Sequence, residues 1–337
     1  MSKPSILSVG ARSPLGLSAL QTSLVWRSGK LVPTPVEWQT SRGHRIGSVR
    51  AACLPDDLVG TPRLVALAAP ALCEAVAGAG DRARGAPLLI ATGEPKPGFE
   101  DAPSLETAMS IALDAGVIFD RARSAVIGMG HAGFGLLLER AVDLVTRGGA
   151  PAVIVGAVDS YHHEACMKWL EEGFRLHAEG SENGIIPSEG AAFVVVTPGM
   201  TGGMARIGAV ACGLEEGHEE GEAPDIGHAM NEVVRRAAAT VGARPVPWLL
   251  TDMNGERHRV RRWSFVKIRN KTMLDPEQTV VFDGPDEMGD PGAALGALLA
   301  VHACVGFATG HADGLSSAMI GLSSEARERA AFVLEAA

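Results

Sequence analysis

Residues 126–135 read VIGMGHAGFG, and the purpose of the glycines decides the fold. Gly128, Gly130 and Gly133 spell G-x-G-x-x-G behind a short apolar run, the spelling of a dinucleotide-binding turn. A strand, a tight turn and a helix can equally hold a nucleophile at a helix N-terminus, and the residue that then matters is His131. A dinucleotide-binding unit also wants an acidic residue at the end of the next strand, about 20 residues on. Asp159 does end the next apolar run, but about 30 residues after Gly128. An NAD-dependent dehydrogenase is therefore a remote alternative.

Outward from this stretch, a helical pattern runs from about 132 to 147. It has Phe134, Leu137, Leu138, Ala141 and Leu144 on one face and Glu139, Arg140, Asp143 and Arg147 opposite. PAVIVGAVDS (151–160) is apolar throughout and reads as a buried parallel strand. Upstream, SILSVGA reads as a strand, SPLG as a turn, and Leu17 to Arg27 as a helix with Leu20, Leu24 and Val25 on one face. Helical patterning over 62–79 and a short strand in APLLIATGE follow. After Pro198 the pattern restarts: MARIGAVACGLEE is a strand, Ile226 to Val241 an amphipathic helix, and WLLTDMNGE a strand and turn. The two parts echo each other. GHAGFGLLLERAV leads to PAVIVGAVDS, and GDPGAALGALLAV, from Gly289, leads to SSAMIGLSSE.

The bulk numbers narrow the classes. A chain of 337 residues with 46% hydrophobic residues is ample for a large α/β core. A formal net charge of -9 argues against a nucleic-acid binder. The five cysteines stand singly, without metal-ligand spacing, so no metal is expected and free cytoplasmic thiols are. The N-terminus has no continuous apolar core of a secretory signal. PGAALGALLAVHACVGFATG (291–310) is long enough to span a membrane, but its glycines, His302 and the acidic run before it favour a buried helix, so no membrane is expected.

Several motifs then resemble the thiolase superfamily, and within it the β-ketoacyl synthases. GAVDSYHHEACMKWLEEGFRL followed by ENGIIPSEGAAFVVV resembles the family's strand, helix and R-L pair leading into a G-F-x-P-G-E-G-A-A strand. SVGARSPLG resembles the first strand and its S-P-x-G turn, GDPGAALGALL the G-H-x-x-G-A-A-G turn, and ERAAFVLEA the last strand. The resemblance implies an α/β fold of two similar halves, 1–200 and 201–337. Each half is a mixed five-stranded sheet with helices, stacked α-β-α-β-α. It also implies a homodimer, or a heterodimer with a synthase-like subunit, and no cofactor.

The family's chemistry needs a thiolate to take the acyl group and two histidines to stabilise an enolate oxygen. Counting from the matched segments puts His131 at the nucleophile position, or Gly130 if the turn contains an indel. Asn254 takes the first histidine's place, or Met253, with Glu256 beside it. Gly289 and Asp290 fall at the second. Asparagine can donate a hydrogen bond to a carbonyl, whereas a carboxylate repels an enolate and serves better as a helix N-cap. Decarboxylative condensation is not expected. The readings that remain are an acyl- or carrier-binding partner subunit, and a thioester hydrolase or acyltransferase using His131. RHRVRRWSFVKIRNK (257–271) carries seven Lys or Arg. Read as a strand, it offers Arg259, Arg261, Arg262 and Lys267 as a cationic ridge for an acidic carrier protein or a coenzyme A thioester, or as a charge-guarded edge.

Overall fold

The computed structural model describes residues 3–29, 33–177, 183–199, 202–217, 224–241 and 245–337. The first series of elements is β1 (Ser5–Arg12), α1 (Ala19–Arg27), a small hairpin of β2 (Thr34–Gln39) and β3 (Arg45–Ser48), α2 (Gly60–Ala79), β4 (Leu88–Thr92), α3 (Leu105–Asp114), β5 (Ala125–Gly128), α4 (Gly133–Thr146), β6 (Val153–Ser160), α5 (Glu164–Glu172) and β7 (Glu189–Thr197). The second is β8 (Ala205–Leu214), α6 (His228–Ala238), β9 (Trp248–Thr251), α7 (Arg257–Arg269), β10 (Val280–Asp283), α8 (Gly284–Met288), α9 (Ala294–Thr309), β11 (Ser317–Ser323) and β12 (Glu328–Ala336).

The echo in the sequence is a repeat in space. Strands lie in the order β10-β9-β11-β12-β8-β1-β7-β6-β4-β5. Outward from the middle, each series runs first, fifth, fourth, second, third. The pairing senses agree as well: first with fifth and fifth with fourth are antiparallel, fourth with second and second with third parallel. Strand β6 is thus parallel only to β4 and antiparallel to β7, a correction to the purely parallel reading. Among the described residues, the two series pair strand to strand only at Ser5↔Arg206 and Ile6↔Ala205 of β1 and β8.

Alternation along the strands builds three apolar layers. Ile90, Ile154, Phe193 and Val195 face α2 and α3. Their neighbours Leu89, Val155 and Val194 face α4 and α9, which also touch Ile320, Leu322 and Phe332 of the second sheet. On that sheet's far side, Leu249, Met319 and Val333 pack on Met230, Val233, Trp263 and Val266 of α6 and α7. This is the α-β-α-β-α stack that the resemblance implied. Helix α9 is buried from Ala294 to Gly306, as the reading of 291–310 required.

Two local expectations fail for physical reasons. In α1 the buried face is Ala19, Thr22, Ser23 and Trp26, while Leu20, Leu24 and Val25 point outward. The small residues let the helix lie close, and one tryptophan fills the space. The basic segment is helix α7 and not a strand, because Arg259, Arg262, Trp263 and Val266 recur at the helical period and form its buried face.

Helix α2 shows how a tight contact pins the frame. Leu64, Leu67 and Leu72 are fully buried, each contributing about 1.5–3 kcal/mol. A Cβ on Gly10 of β1 would stand 2.1 Å from the Ala71 carbonyl oxygen. At its N-terminal end Arg63 grips Glu189, the first residue of β7, with Nε to Oε2 at 2.6 Å and Nη2 to Oε1 at 2.7 Å. Glu189 also accepts from the Ala51 N–H at 2.8 Å and Ser160 Oγ at 2.7 Å. Both partners are buried. Arg63→Met strands this carboxylate and is predicted to lower the unfolding free energy by about 3–5 kcal/mol in a urea titration. Lys168→Met, which breaks an exposed pair with Glu164, should leave it within error.

Candidate functional site

The glycines of VIGMGHAGFG serve packing. A Cβ on Gly128 would strike Pro103 at 2.9 Å and one on Gly133 would meet Ala91 at 3.0 Å, while Gly130 turns the chain with φ 57°. The path from β5 through α4 to β6 passes over β4, so the two strands are not neighbours, as a dinucleotide-binding βαβ unit requires. Asp159, the residue that would hold a ribose, is bonded to Lys96 at 2.6 Å. The dehydrogenase reading falls on these points.

His131, Asn254 and Asp290 do converge. His131 sits in the single 3₁₀ turn, Gly130–Ala132, that opens α4. Asn254 follows β9, and Asp290 precedes α9 after Gly289, whose φ is 72°. Nε2 of His131 lies 2.8 Å from Asp290 Oδ1, and Asn254 Nδ2 donates to Asp290 Oδ2 at 2.6 Å. Arg259 Nη2 stands 3.3 Å from Nδ1 of His131. A guanidinium only donates, so Nδ1 accepts and the Nε2–H donates to Asp290. The second Asn254 N–H is also taken, donating to Glu256 Oε2 at 3.0 Å, and Oδ1 accepts from the Glu256 N–H at 3.1 Å.

Asp290 keeps its capping role, since Oδ1 accepts the Gly292 N–H at 2.8 Å. Burial alone would raise its pKa. The imidazole of His131, the Arg259 guanidinium and the Asn254 amide outweigh burial and hold the carboxyl well below the usual range, so it is ionised. Gly289 offers no open surface, because a Cβ there would lie 2.7 Å from the Ile186 carbonyl oxygen.

A buried charge network surrounds these three. Glu256 is paired with Arg175, Nε to Oε1 at 2.6 Å. Arg259 and Arg262, read from the sequence as docking groups, are 0% and 3% exposed and belong to the interior, a correction. Arg259 donates to Asp252 at 2.7 Å and to the Ser323 carbonyl at 2.6 Å, and is paired with Glu325. Arg262 binds Asp225 and Ser323 Oγ. Arg261 is exposed and Lys267 half-buried, so the ridge shrinks to the outer face of α7. Glu256, His258 and Glu325 bring ligand atoms within 4.8 Å of one another, but Arg175 and Arg259 already neutralise both carboxylates, a poor fit for a divalent ion.

Beside His131 lies a polar cavity of about 90 Å³, lined by Glu94, Lys96, Tyr161, Trp169, Arg175 and Glu325 among others. That is room for a few waters, against about 300–1,000 Å³ for a small-molecule site. Sequence reasoning missed Lys96, Arg175 and Glu325 as members. Only Arg175 carried a signal, as the arginine of the matched R-L pair. The cavity lining contains no cysteine. Burial pushes the Cys166 thiol up to about 11 and those of Cys212 and Cys304 to about 12, the opposite of an activated nucleophile.

No protein family matches the sequence, and no curated protein matches it. Solved structures do resemble its fold. The ketosynthase in complex with its chain length factor from Xenorhabdus doucetiae is 14% identical, with a TM-score of 0.77 over 100% of this chain and 98% of that one. The ishigamide ketosynthase/chain length factor is 18% identical, with a TM-score of 0.75 over 99% of each chain. The ketosynthase from module 6 of the bacillaene synthase from Bacillus subtilis 168 is 12% identical, with a TM-score of 0.79 over 99% of this chain and 72% of that one. The fold is therefore the thiolase-like ketosynthase fold.

The ionised Asp290 sets a pH dependence. Its folded pKa lies below the unfolded value of about 3.9, so its stabilisation is complete above about pH 5 and is lost as pH falls toward the folded value. Asp290→Asn is predicted to cost about 1–3 kcal/mol at neutral pH and to flatten the acid-side loss of stability, as read from urea midpoints between about pH 3 and pH 7.

Proposed function

We propose that this chain is a ketosynthase-like subunit that does not condense acyl units and acts by pairing with a second chain of the same fold. The observation that carries the reading is the closure of His131, Asn254 and Asp290 on one another. Condensation needs a thiolate and two free hydrogen-bond donors aimed at a developing oxyanion. Here the imidazole has both nitrogens engaged, both amide N–H groups are taken, and the third group is an anion. The same bonds disfavour the hydrolase or acyltransferase reading, since nucleophilic attack by His131 would first have to break one of them. The small cavity likewise favours a partner role over acyl storage.

A docking surface for a second chain supports pairing. Strand β5 ends the sheet with one side of its backbone unpaired. Met109 and Leu113 of α3, Ile118 and Met129 expose apolar side chains around it. An uncovered edge with an apolar surround is what a partner strand covers. An acidic carrier would meet the exposed cations Arg257, Arg261 and Arg269 of α7 and Lys271 just after it. Solved neighbours include a ketosynthase complexed with its chain length factor and another with its acyl-carrier protein, which agrees with partner and carrier roles here.

Two measurements test the reading. With acyl and malonyl thioesters the protein should give no condensed product, and thiol release should stay at the buffer rate and be unchanged by His131→Ala. Carbon–carbon bond formation would refute the non-condensing role. Native mass spectrometry should show two chains together, and Leu113→Asp with Ile118→Asp should release single folded chains. A wild-type monomer that also fails to join any ketosynthase-fold partner would refute pairing.

A further inference from the structure

Far from the His131 cluster, α1, β9, β10 and the C-terminal end of α9 enclose a cavity of about 280 Å³. Its wall is aromatic. His302 stacks on Phe282 with ring centroids 4.9 Å apart and planes 15° apart, and Trp26 and Trp248 stand 5.3 and 5.5 Å from the imidazole. Leu24, Val280 and Val281 continue the apolar lining to the exposed rim. The volume lies near the lower end of the range of about 300–1,000 Å³ for small-molecule sites, which are mostly apolar with a few placed polar groups.

The placed group is His302, only 6% exposed. Its Nδ1 is 2.9 Å from Ser23 Oγ. Among the described residues its Nε2 has no hydrogen-bond partner, yet it is not one of the unpartnered atoms sealed inside protein. His162 makes the contrast. It lines a larger cavity of about 410 Å³, and its unpartnered Nδ1 is sealed, so a molecule there would not reach it. Burial lowers the His302 pKa to about 4, and the ring is neutral near pH 7. The mouth discourages anions: Glu287 and Asp313 line it, and Arg27 is committed to Asp313 at 2.9 Å and to the His311 carbonyl at 2.5 Å.

We infer that this cavity binds an uncharged planar aromatic molecule of one or two fused rings. It is packed against Phe282 and Trp248 and oriented by one hydrogen bond between its hydroxyl and His302 Nε2, which donates or accepts according to the tautomer that Ser23 selects. Each part of the recognition follows from chemistry on the wall: flat faces for a flat ligand, one open nitrogen for one polar group, and carboxylates at the mouth against negative charge.

The full chain is titrated with 2-naphthol, naphthalene and 2-naphthoate, followed by tryptophan fluorescence and calorimetry. Saturable binding of one 2-naphthol per chain is expected, about tenfold or more tighter than either other probe. His302→Phe keeps the stack and should bring 2-naphthol to the level of naphthalene. Val281→Trp, at an exposed rim position, should block all binding without lowering the melting temperature. The ¹⁵N shift of His302 Nε2 in the wild type reads the same bond without a variant and should move on saturation with 2-naphthol. Absent binding, equal binding of 2-naphthol and naphthalene, an unmoved ¹⁵N shift, or binding that survives Val281→Trp would each overturn the inference. So would a wild type that binds no probe while Val281→Trp changes its mass in solution, which would put a protein side chain in the cavity.

Discussion

Two helices that begin inside the protein govern the rest of the structure. Sandwiched between sheets, α4 and α9 begin in the interior, where their first N–H groups find no solvent. Buried side chains must accept them. Ser324 Oγ takes the Ala132 N–H at 3.1 Å, Asp290 takes that of Gly292, and Asp159 takes that of Ala293 at 3.0 Å. Buried carboxylates in turn require countercharge and donors. Lys96 answers Asp159, with its ammonium also 3.9 Å above the Tyr161 ring, and His131 and Asn254 answer Asp290. Arg175 and Arg259 balance Glu256 and Glu325. Helix capping and mutual neutralisation thus hold the charged cluster together.

A fold does not by itself fix a chemistry. Three landmarks bring His131, Asp290 and Asn254 together: a strand-to-helix elbow, a second glycine turn, and a strand end. The side chains at those three places bond to each other, and His131 also borders the small polar cavity.

The repeat was legible because packing imposes it on the sequence. A glycine is needed where each central helix turns out of its strand, and Gly130 and Gly289 both have positive φ. Apolar runs such as VIVGAV are needed where a strand is covered on both faces. Counting from these fixed points brought three distant residues to one place. The reading of 257–271 failed because charge was taken for exposure, and arginines paired with buried carboxylates look the same in a sequence as solvated ones. The face of α1 was misjudged for the converse reason: close helix packing selects alanine and serine, leaving the leucines outside. Lys96 and Glu325 were invisible, because their roles depend on loops that meet only after both sheets have formed.

The shared middle layer also shapes how the chain is made. The inner face of the first sheet, Leu89, Val155 and Val194, is covered in part by α9, which lies far downstream. At about 5–20 residues per second, a ribosome leaves that oily surface bare for several seconds before its cover emerges. Strand β12, made later still, docks beside β8, so the second sheet also closes late. Neither sheet is fully covered without the other, because α4 and α9 pack against both.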